Sequence, residues 1–318
     1  MSLNDEDVPL TAAERRSLLD ALTAEVQATA ASRSVAELEH LLNRLVVGTQ
    51  WSLPTIGAGA RLFRVRKMDR KAINVAEAGA PPGGAASAGR VNEPGCSVLY
   101  LADSPATAIS EVRSGEGTYC LTEWRVTENR VALANGGIVE DDLVAVFGTG
   151  DKAAADVGGY VDDEVRQLFT TIFRLAPSDN AALYRWSIAA ARAVGFSHRC
   201  GRTARSYQDG RTKFEGRHPF AGVAYVSVRS DQRRVNFAFN DLGQAYVELT
   251  NVQWVEHRGD GETSGLDFAS SWNADGTIQW LGRPAKLVIP PGGGANVTKV
   301  GANVWKFETI DGEVPGFS

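Results

Sequence analysis

The chain has few cysteines and no long apolar run. Its three cysteines, Cys96, Cys120 and Cys200, show no C-x-x-C spacing, and pairing would leave one over. This argues against a disulfide framework and favours a reducing compartment. The N-terminus, MSLNDEDVPL, is acidic and lacks the basic and apolar regions of a secretion signal. No apolar stretch approaches the roughly 20 residues that span a bilayer. These absences predict a cytoplasmic protein without a membrane partner.

Motifs of several enzyme classes are also missing. The sequence contains no G-x-S-x-G, no G-x-G-x-x-G, no Walker A and no H-E-x-x-H motif. A serine hydrolase and Rossmann-type dinucleotide binding are therefore not expected. The four histidines are His40, His198, His218 and His257. The group His198, Cys200 and His218 has irregular spacing and lacks a fourth ligand, so we predict no metal site.

The charge balance argues against general nucleic-acid binding. The formal net charge is −5 and the pI is about 5.5, so an anionic polymer would be repelled. The exception is a basic insertion at 198–217, HRCGRTARSYQDGRTKFEGR. It is either a solvated loop or a lid that steers an anionic dinucleotide. A third alternative is a nucleic-acid-binding module in which Tyr207 and Phe214 stack on bases.

Two helices are predicted over residues 11–47. Each begins with an S/T-x-x-E capping box, and each carries a stripe of leucines at helical spacing. Further helices are predicted at 162–176 and, with Asp179 as its cap, at Asn180–Val194. We expect these elements to pack on a neighbouring core.

Strands are predicted before, between and after the helices, at about 60–68, 97–102, 118–127, 222–228, 235–240 and 245–257. No regular βαβ alternation is present, so an α+β fold is predicted. Asp275-Gly276 and Asp311-Gly312 are hairpin signals near the C-terminus. The predicted organisation is an N-terminal helical region (1–55), a catalytic domain (56–257) and a small C-terminal β extension (258–318).

The segment GRVNEPGCSVLYLADSPATAISEVR, residues 89–113, combines a loop, a short strand and a short helix. Gly89 permits backbone conformations closed to other residues, and Arg90 offers a planar set of donors for a phosphate. Glu111 lies at the border of the helix's apolar face, where a carboxylate is partly desolvated. The alternative to a functional role is a salt bridge with Arg113 or Arg125.

Three motifs of this segment, GRVN, VLYLA and TAISEV, resemble the first half of the RES domain family in order and spacing. Upstream, RLFRV resembles the family's opening strand and places its arginine at Arg64. Downstream, GVAYVSV and VNFAF resemble the closing part, with the serine at Ser227 and a substrate-binding asparagine at Asn236. The resemblance covers the region from about residue 60 to about residue 255.

RES domains resemble the ADP-ribosyltransferase fold and are similar to bacterial toxins that consume NAD⁺. The resemblance implies a mixed split sheet around a cleft, with NAD⁺ as substrate and no bound cofactor. Glu111 would stabilise the oxocarbenium-like centre, and Ser227 would orient Glu111 or bind the ribose. Arg64 and Arg90 would bind the pyrophosphate, while Tyr100 would pack on the nicotinamide or ribose.

The resemblance also implies a protein partner, a neutralising antitoxin with a helix-turn-helix DNA-binding region. The acceptor stays open among water, phosphate and a protein side chain. We predict degradation of NAD⁺ by hydrolysis or phosphorolysis, with ADP-ribosylation of a protein target as the nearest enzymatic alternative.

Overall fold

The computed structural model describes residues 10–29, 32–47, 53–112, 115–139, 153–156, 163–175, 183–196, 203–208, 211–217, 220–227, 234–258, 263–282, 288–289, 295–301 and 304–309. The helices in these ranges are α1 (Ala12–Gln27), α2 (Val35–Val46), α3 (Val75–Ala78), α4 (Pro105–Glu111), α5 (Asp163–Arg174), α6 (Tyr184–Ala193) and α7 (Asp241–Gln244). The strands are β1 (Leu53–Ile56), β2 (Arg61–Lys67), β3 (Leu99–Ala102), β4 (Gly117–Val126), β5 (Val131–Gly136), β6 (Ala153–Asp156), β7 (Thr203–Gln208), β8 (Arg211–Arg217), β9 (Gly222–Val226), β10 (Val235–Phe239), β11 (Val247–His257), β12 (Thr263–Ala269), β13 (Val288–Ile289), β14 (Ala295–Gly301) and β15 (Val304–Thr309).

The described strands include 11 that form one hydrogen-bonded sheet, in the order β13-β12-β11-β4-β2-β3-β10-β9-β5-β1-β6. Its neighbours are antiparallel, except that β5 runs parallel to β9. Two hairpins, β7–β8 and β14–β15, form separate sheets. The predicted mixed α+β class is confirmed.

The sheet is nearly divided at one place. The resemblance implies a split sheet, whereas the strand order of the large sheet is continuous. However, β2 and β3 meet through one residue pair, Phe63 with Ala102, whereas β2 pairs with β4 along its whole length. The ladder stops there because β3 ends at Ala102 and the chain turns into α4. We call this place the β2–β3 junction; the sheet opens beside it.

The two predicted N-terminal helices are confirmed. Both capping boxes form, Thr11 with Glu14 at the start of α1 and Ser34 with Glu37 at the start of α2. Each box satisfies main-chain N–H groups that a helix leaves without partners. The buried apolar residues of the two helices join one cluster with α5, α6 and the adjoining sheet: Leu19, Leu22, Val26, Leu38, Leu42 and Leu45.

The second central helix is predicted over Asn180–Val194, and Asn180 lies outside the described residues. The helix begins at Tyr184, and Leu183 stands at its cap without a side-chain hydrogen bond. Asp179, the predicted cap, lies outside the described residues. Most of the helix's described residues are buried, so packing stabilises it.

The C-terminal region contributes to the large sheet. β12 pairs with β11 from Val252 to His257, although we had assigned it to a separate extension. At the predicted Asp275-Gly276 turn, the Thr277 main-chain N–H donates to Asp275 Oδ1 at 2.9 Å. This hairpin signal is confirmed, and the Asp311-Gly312 signal lies outside the described residues. The three predicted domain boundaries stay predictions.

Candidate active site

The helix α4 carries Glu111 to the β2–β3 junction. Ser104 caps the helix by accepting a hydrogen bond from the Thr107 N–H, and Pro105 occupies its first turn. Both features suit a helix start, because Pro lacks an N–H that the first turn would leave unbonded. The apolar face of α4 packs against β2, β4 and β11. Glu111, the last residue of the helix, lines the cavity described below, together with Phe63 and Ala108 of that cluster.

Glu111 is held by two neutral donors. Its Oε1 accepts hydrogen bonds from Ser227 Oγ and from Asn236 Nδ2 at 2.8 Å. Both donors are buried, at 1% and 4% exposure. Hydrogen bonds to an ionised carboxylate are among the stronger ones in proteins, and two on one oxygen restrict its rotation. The alternative role of Glu111 is not supported for Arg125, which pairs with Glu248, and Arg113 lies outside the described residues.

The sheet register explains why residues far apart in sequence meet here. Asn236 on β10 pairs with Ala102 on one side and with Tyr225 on the other. Ser227 follows β9, and its N–H donates to the Arg234 carbonyl at 2.8 Å. The order β3-β10-β9 therefore places the serine and the asparagine beside the strand that leads into α4.

Asp103 fastens the start of α4 to β10. Its Oδ2 accepts from the Val235 main-chain N–H at 2.9 Å, and its Oδ1 accepts from Thr107 Oγ1 at 2.6 Å. Burial raises the pKa of Asp103, and these two hydrogen bonds oppose that rise. The Asp103 carboxylate thus accepts a main-chain hydrogen bond from β10 at the point where β3 ends. It thereby sets the distance between α4 and Asn236.

Arg64 on β2 lies in the same cavity. Its Nε is buried and has no hydrogen-bond partner within the described residues. Burial, followed by repulsion from Arg66, lowers the pKa of Arg64 to about 10. No carboxylate is among the groups that shift it. A cation that is desolvated without an opposing charge favours an anionic ligand.

The site loop, residues 86–98, forms another wall. Asn92 organises it by donating through Nδ2 to the carbonyls of Ser87, Glu93 and Cys96, at 2.9, 3.1 and 3.0 Å. The Tyr100 hydroxyl donates to Asn92 Oδ1 at 2.5 Å and accepts from the Val91 N–H at 3.1 Å. Burial raises the pKa of Tyr100. Its hydroxyl therefore secures the loop, which leaves the ring for a ligand.

Part of the Arg90 guanidinium is already engaged by contacts within the protein. Its Nη1 donates to the carbonyls of Phe173, at 3.1 Å, and Leu175 at the end of α5. Its guanidinium also lies over the Tyr184 ring, 6.0 Å from the centroid. A cation at a helix C-terminus opposes the partial negative charge there. These contacts fix the guanidinium plane at the cavity wall and reduce its freedom to follow a ligand.

Gly89 is required for a reason other than the one predicted. It is not among the residues with positive φ. Instead, a Cβ at this position would lie 2.6 Å from the Tyr100 hydroxyl oxygen. The close approaches are to the protein's own Asn92 and Tyr100 side chains, and the expected approach of a phosphate to this glycine stays a prediction.

The cavity encloses about 400 Å³, within the usual range for small-molecule sites. It brings together five of the six predicted site residues: Arg64, Arg90, Tyr100, Glu111 and Asn236. Ser227 reaches it through its hydrogen bond to Glu111. The functional roles assigned to these residues stay predictions. In the described ranges, no group of three His, Cys, Asp or Glu residues could hold a metal.

Four residues of the site were not found from the sequence: Asn92, Asp103, Tyr184 and Tyr225. Tyr184 and Tyr225 line the cavity, and Tyr225 stacks on Phe173 with ring centroids 5.1 Å apart. Asn92 belongs to the GRVN motif and Asp103 follows VLYLA directly. Those adjacent motifs were therefore a usable signal for Asn92 and Asp103, and the GVAYVSV motif contains Tyr225. No motif marks Tyr184.

The remaining predictions concern the basic insertion and membranes. Within 198–217, β7 and β8 form an antiparallel hairpin, and the side chains of Tyr207 and Phe214 lie outside what the structure describes. The proposed metal group also lies outside, since His198, Cys200 and His218 are not among the described residues. Of the helices that the structure describes, none combines the length and apolar character needed to cross a lipid bilayer.

Comparisons with known proteins identify the family to which the chain belongs. No curated protein matches the chain. A solved structure, the crystal structure of the M. tuberculosis MbcT–MbcA toxin–antitoxin complex, aligns with 15% sequence identity and a TM-score of 0.34, covering 72% of this chain and 95% of that chain. The RES domain matches residues 61–258, which is more than half of the 318 residues. The chain therefore belongs to the RES domain family.

Proposed function

We propose that this protein cleaves the bond between nicotinamide and ribose in NAD⁺, and that it acts as the toxin of a toxin–antitoxin pair. The observation that carries the proposal is the environment of Glu111: a carboxylate whose Oε1 is held by Ser227 and Asn236. It shares a cavity with Arg64, a largely buried cation whose pKa is shifted by no carboxylate of the described residues. Arg64 suits the anionic end of a ligand, and Glu111 suits an end that develops positive charge during the reaction.

Binding would use the two ends of the cavity differently. Arg64 would accept the pyrophosphate, because charge-assisted hydrogen bonds to phosphate offset the cost of its desolvation. Arg90, already fixed by the carbonyls at the end of α5, would contribute charge from a set position. The rings of Tyr100 and Tyr225 would border the nicotinamide riboside.

Cleavage would proceed at ribose C1′. As the C–N bond breaks, its electron pair moves to the ring nitrogen and neutralises the pyridinium, so nicotinamide leaves uncharged. The positive charge that remains on the ribose is stabilised by the ionised Glu111. A water molecule then adds to C1′ and loses a proton, which gives ADP-ribose. Phosphate or a protein side chain could take the place of water.

The finer fold assignment belongs to the same proposal. We assign the protein to an ADP-ribosyltransferase-like arrangement, in which the sheet opens around a cleft. The observation that supports this is the β2–β3 junction, where one residue pair connects two well-paired parts of the sheet. The cavity lies beside it, lined by Phe63 and Ala102 among others.

An antitoxin partner follows from the activity. An enzyme that degrades free NAD⁺ would harm the cell that makes it, so we propose a cognate protein that neutralises it. The test is expression of this chain in bacteria with and without candidate antitoxins encoded beside it. Growth arrest that depends on Glu111 and is relieved by one candidate supports the proposal. Normal growth with NAD⁺ unchanged contradicts it.

The direct test is incubation of the purified chain with NAD⁺, with and without phosphate, and separation of the products by mass. We expect nicotinamide with ADP-ribose, or with phosphorylated ADP-ribose when phosphate is the acceptor. Glu111→Gln keeps the hydrogen-bond acceptor but removes the charge, so kcat should fall by about 10²–10³-fold. Glu248→Gln changes an exposed glutamate and serves as the control.

Two outcomes would contradict this proposal. If the wild-type chain releases no nicotinamide, the activity is wrong. If Glu111→Gln retains full activity, the mechanism is wrong even though the activity stands. A labelled protein product, in place of free ADP-ribose, would favour ADP-ribosyl transfer to a protein.

A further inference from the structure

The N-terminal helices lie outside the RES match, which begins at residue 61, yet they share an apolar cluster with the site. Leu38 and Leu42 of α2 belong to the same cluster as Val91 of the site loop and Tyr225 of the cavity wall. All four are at most 3% exposed. The helices are therefore packed into the structure that forms the cavity, and are not an appended unit.

A polar connection runs beside this cluster. Arg192 on α6 places its Nη1 3.5 Å from Glu39 Oε2 on α2. Its Nη2 forms an ion pair with Glu93 in the site loop. The Arg192 side chain is 18% exposed, so solvent screens these pairs less than fully exposed ones. A guanidinium can bind two carboxylates through separate nitrogens, whereas an ammonium is a single point charge.

The position of Glu93 affects the cavity because the site loop is cross-linked within itself. The Gly89 N–H donates to the Asn92 carbonyl at 2.9 Å, and the Gly95 N–H donates to the Ala86 carbonyl at 2.8 Å. Gly89 and Arg90 line the cavity. A displacement at Glu93 is therefore passed to the wall that faces the ligand.

We infer that Arg192 is a positioning residue through which α2 holds the site loop against the cavity. The N-terminal helical pair thereby sets the affinity for the anionic dinucleotide without touching it. The loop-positioning part stands on the contacts of Arg192 alone, and only the identity of the ligand rests on the proposed function.

Three variants test the two ion pairs of Arg192, together and one at a time. Arg192→Gln removes both ion pairs, Glu93→Gln removes the link to the site loop, and Glu39→Gln removes the link to α2. The matched control is Arg16→Gln. It breaks an exposed ion pair between α1 and α5, Arg16 with Glu164, so it also loosens a contact of the N-terminal helices but leaves the site loop alone.

The first measurement does not depend on activity. Hydrogen–deuterium exchange of the full chain should show the amides of residues 86–98 exchanging about five- to tenfold faster in Arg192→Gln than in the wild type. Exchange in α1 and α2 should stay within about twofold, and the control should resemble the wild type. Unchanged exchange in the site loop would overturn the inference. A uniform increase over α1, α2 and the site loop would overturn it too, because it would indicate general loss of stability.

The second measurement tests the effect on the ligand. For NAD⁺ cleavage, Arg192→Gln should raise KM by about three- to tenfold while kcat stays within about twofold. The double variant Glu39→Gln/Glu93→Gln should not exceed that effect, because both glutamates act through one arginine. A lower kcat with an unchanged KM would refute positioning of the loop for binding. If the wild type does not cleave NAD⁺, the proposed function fails, and the exchange experiment alone decides this inference.

Discussion

Replacing Arg64 with methionine should make the folded protein more stable and remove its affinity for ADP-ribose. Arg64 is a buried cation whose Nε has no partner within the described residues. Its pKa falls from the usual arginine range to about 10, chiefly because of burial. Methionine keeps a flexible, unbranched side chain that reaches about as far as Arg64 Nε, and it removes the charge that must be desolvated.

The expected magnitude follows from that pKa. Each pKa unit corresponds to about 1.36 kcal/mol, so the shift sets an upper limit of about 3 kcal/mol for the penalty. Solvent reaches part of the side chain and reduces it, so we expect a gain of about 1–2 kcal/mol in the free energy of unfolding. Because the folded-state pKa of Arg64 lies below the unfolded-state pKa, the penalty is complete at neutral pH. It is relieved only as the pH rises above about 10, through the folded-state pKa towards the higher unfolded-state value.

The assay is urea denaturation at pH 7, followed by tryptophan fluorescence. Arg66→Met is the control, because Arg66 is on the same strand but exposed, and its effect should stay within about 0.5 kcal/mol. Addition of ADP-ribose at about 100 times its Kd should stabilise the wild type by about 2.7 kcal/mol and leave Arg64→Met unchanged. A variant less stable than the wild type by more than about 1 kcal/mol would show that Arg64 has a stabilising partner, and would refute this reasoning.

Three further substitutions probe the rest of the site. Ser227→Ala should lower kcat by about tenfold or more, because a hydrogen bond to a carboxylate is lost, with little change in Tm; equal kcat would show that catalysis does not need the Ser227 hydrogen bond. Gly89→Ala should destabilise the fold by about 1–3 kcal/mol in chemical denaturation, because the added Cβ would lie 2.6 Å from the Tyr100 hydroxyl. Asp103→Ala should lower kcat, whereas Asp103→Asn should restore most of it because the amide oxygen can still accept a hydrogen bond. Equal loss in both would point to the charge instead.

Local chemistry made some elements predictable. The capping boxes fixed the starts of α1 and α2, and Ser104 with Pro105 marked the start of α4. Glu111 was identifiable because it borders an apolar helix face, where an ionisable group needs a partner. In each case the deciding interactions lie within one or two turns of the chain.

Other features depend on contacts across the sequence. Ser227 and Asn236 are 116 and 125 residues from Glu111, so the family resemblance was needed to select them. Arg90 and the Phe173 carbonyl that it contacts are 83 residues apart in the sequence, and no sequence pattern near Arg90 predicted this contact.

The β2–β3 junction has a mechanical consequence. Arg64 belongs to β2, on one side of the junction, whereas Ser227 and Asn236 belong to the other side. The helix α4 spans the two sides: its apolar face packs on β2 and β4, and its terminal Glu111 bonds the opposite strands. A rotation about the single pair of Phe63 and Ala102 would change the distance from the arginine to the carboxylate while leaving both ladders intact. A partner protein that rotated the two parts of the sheet about the β2–β3 junction would therefore inhibit the enzyme without entering the cavity.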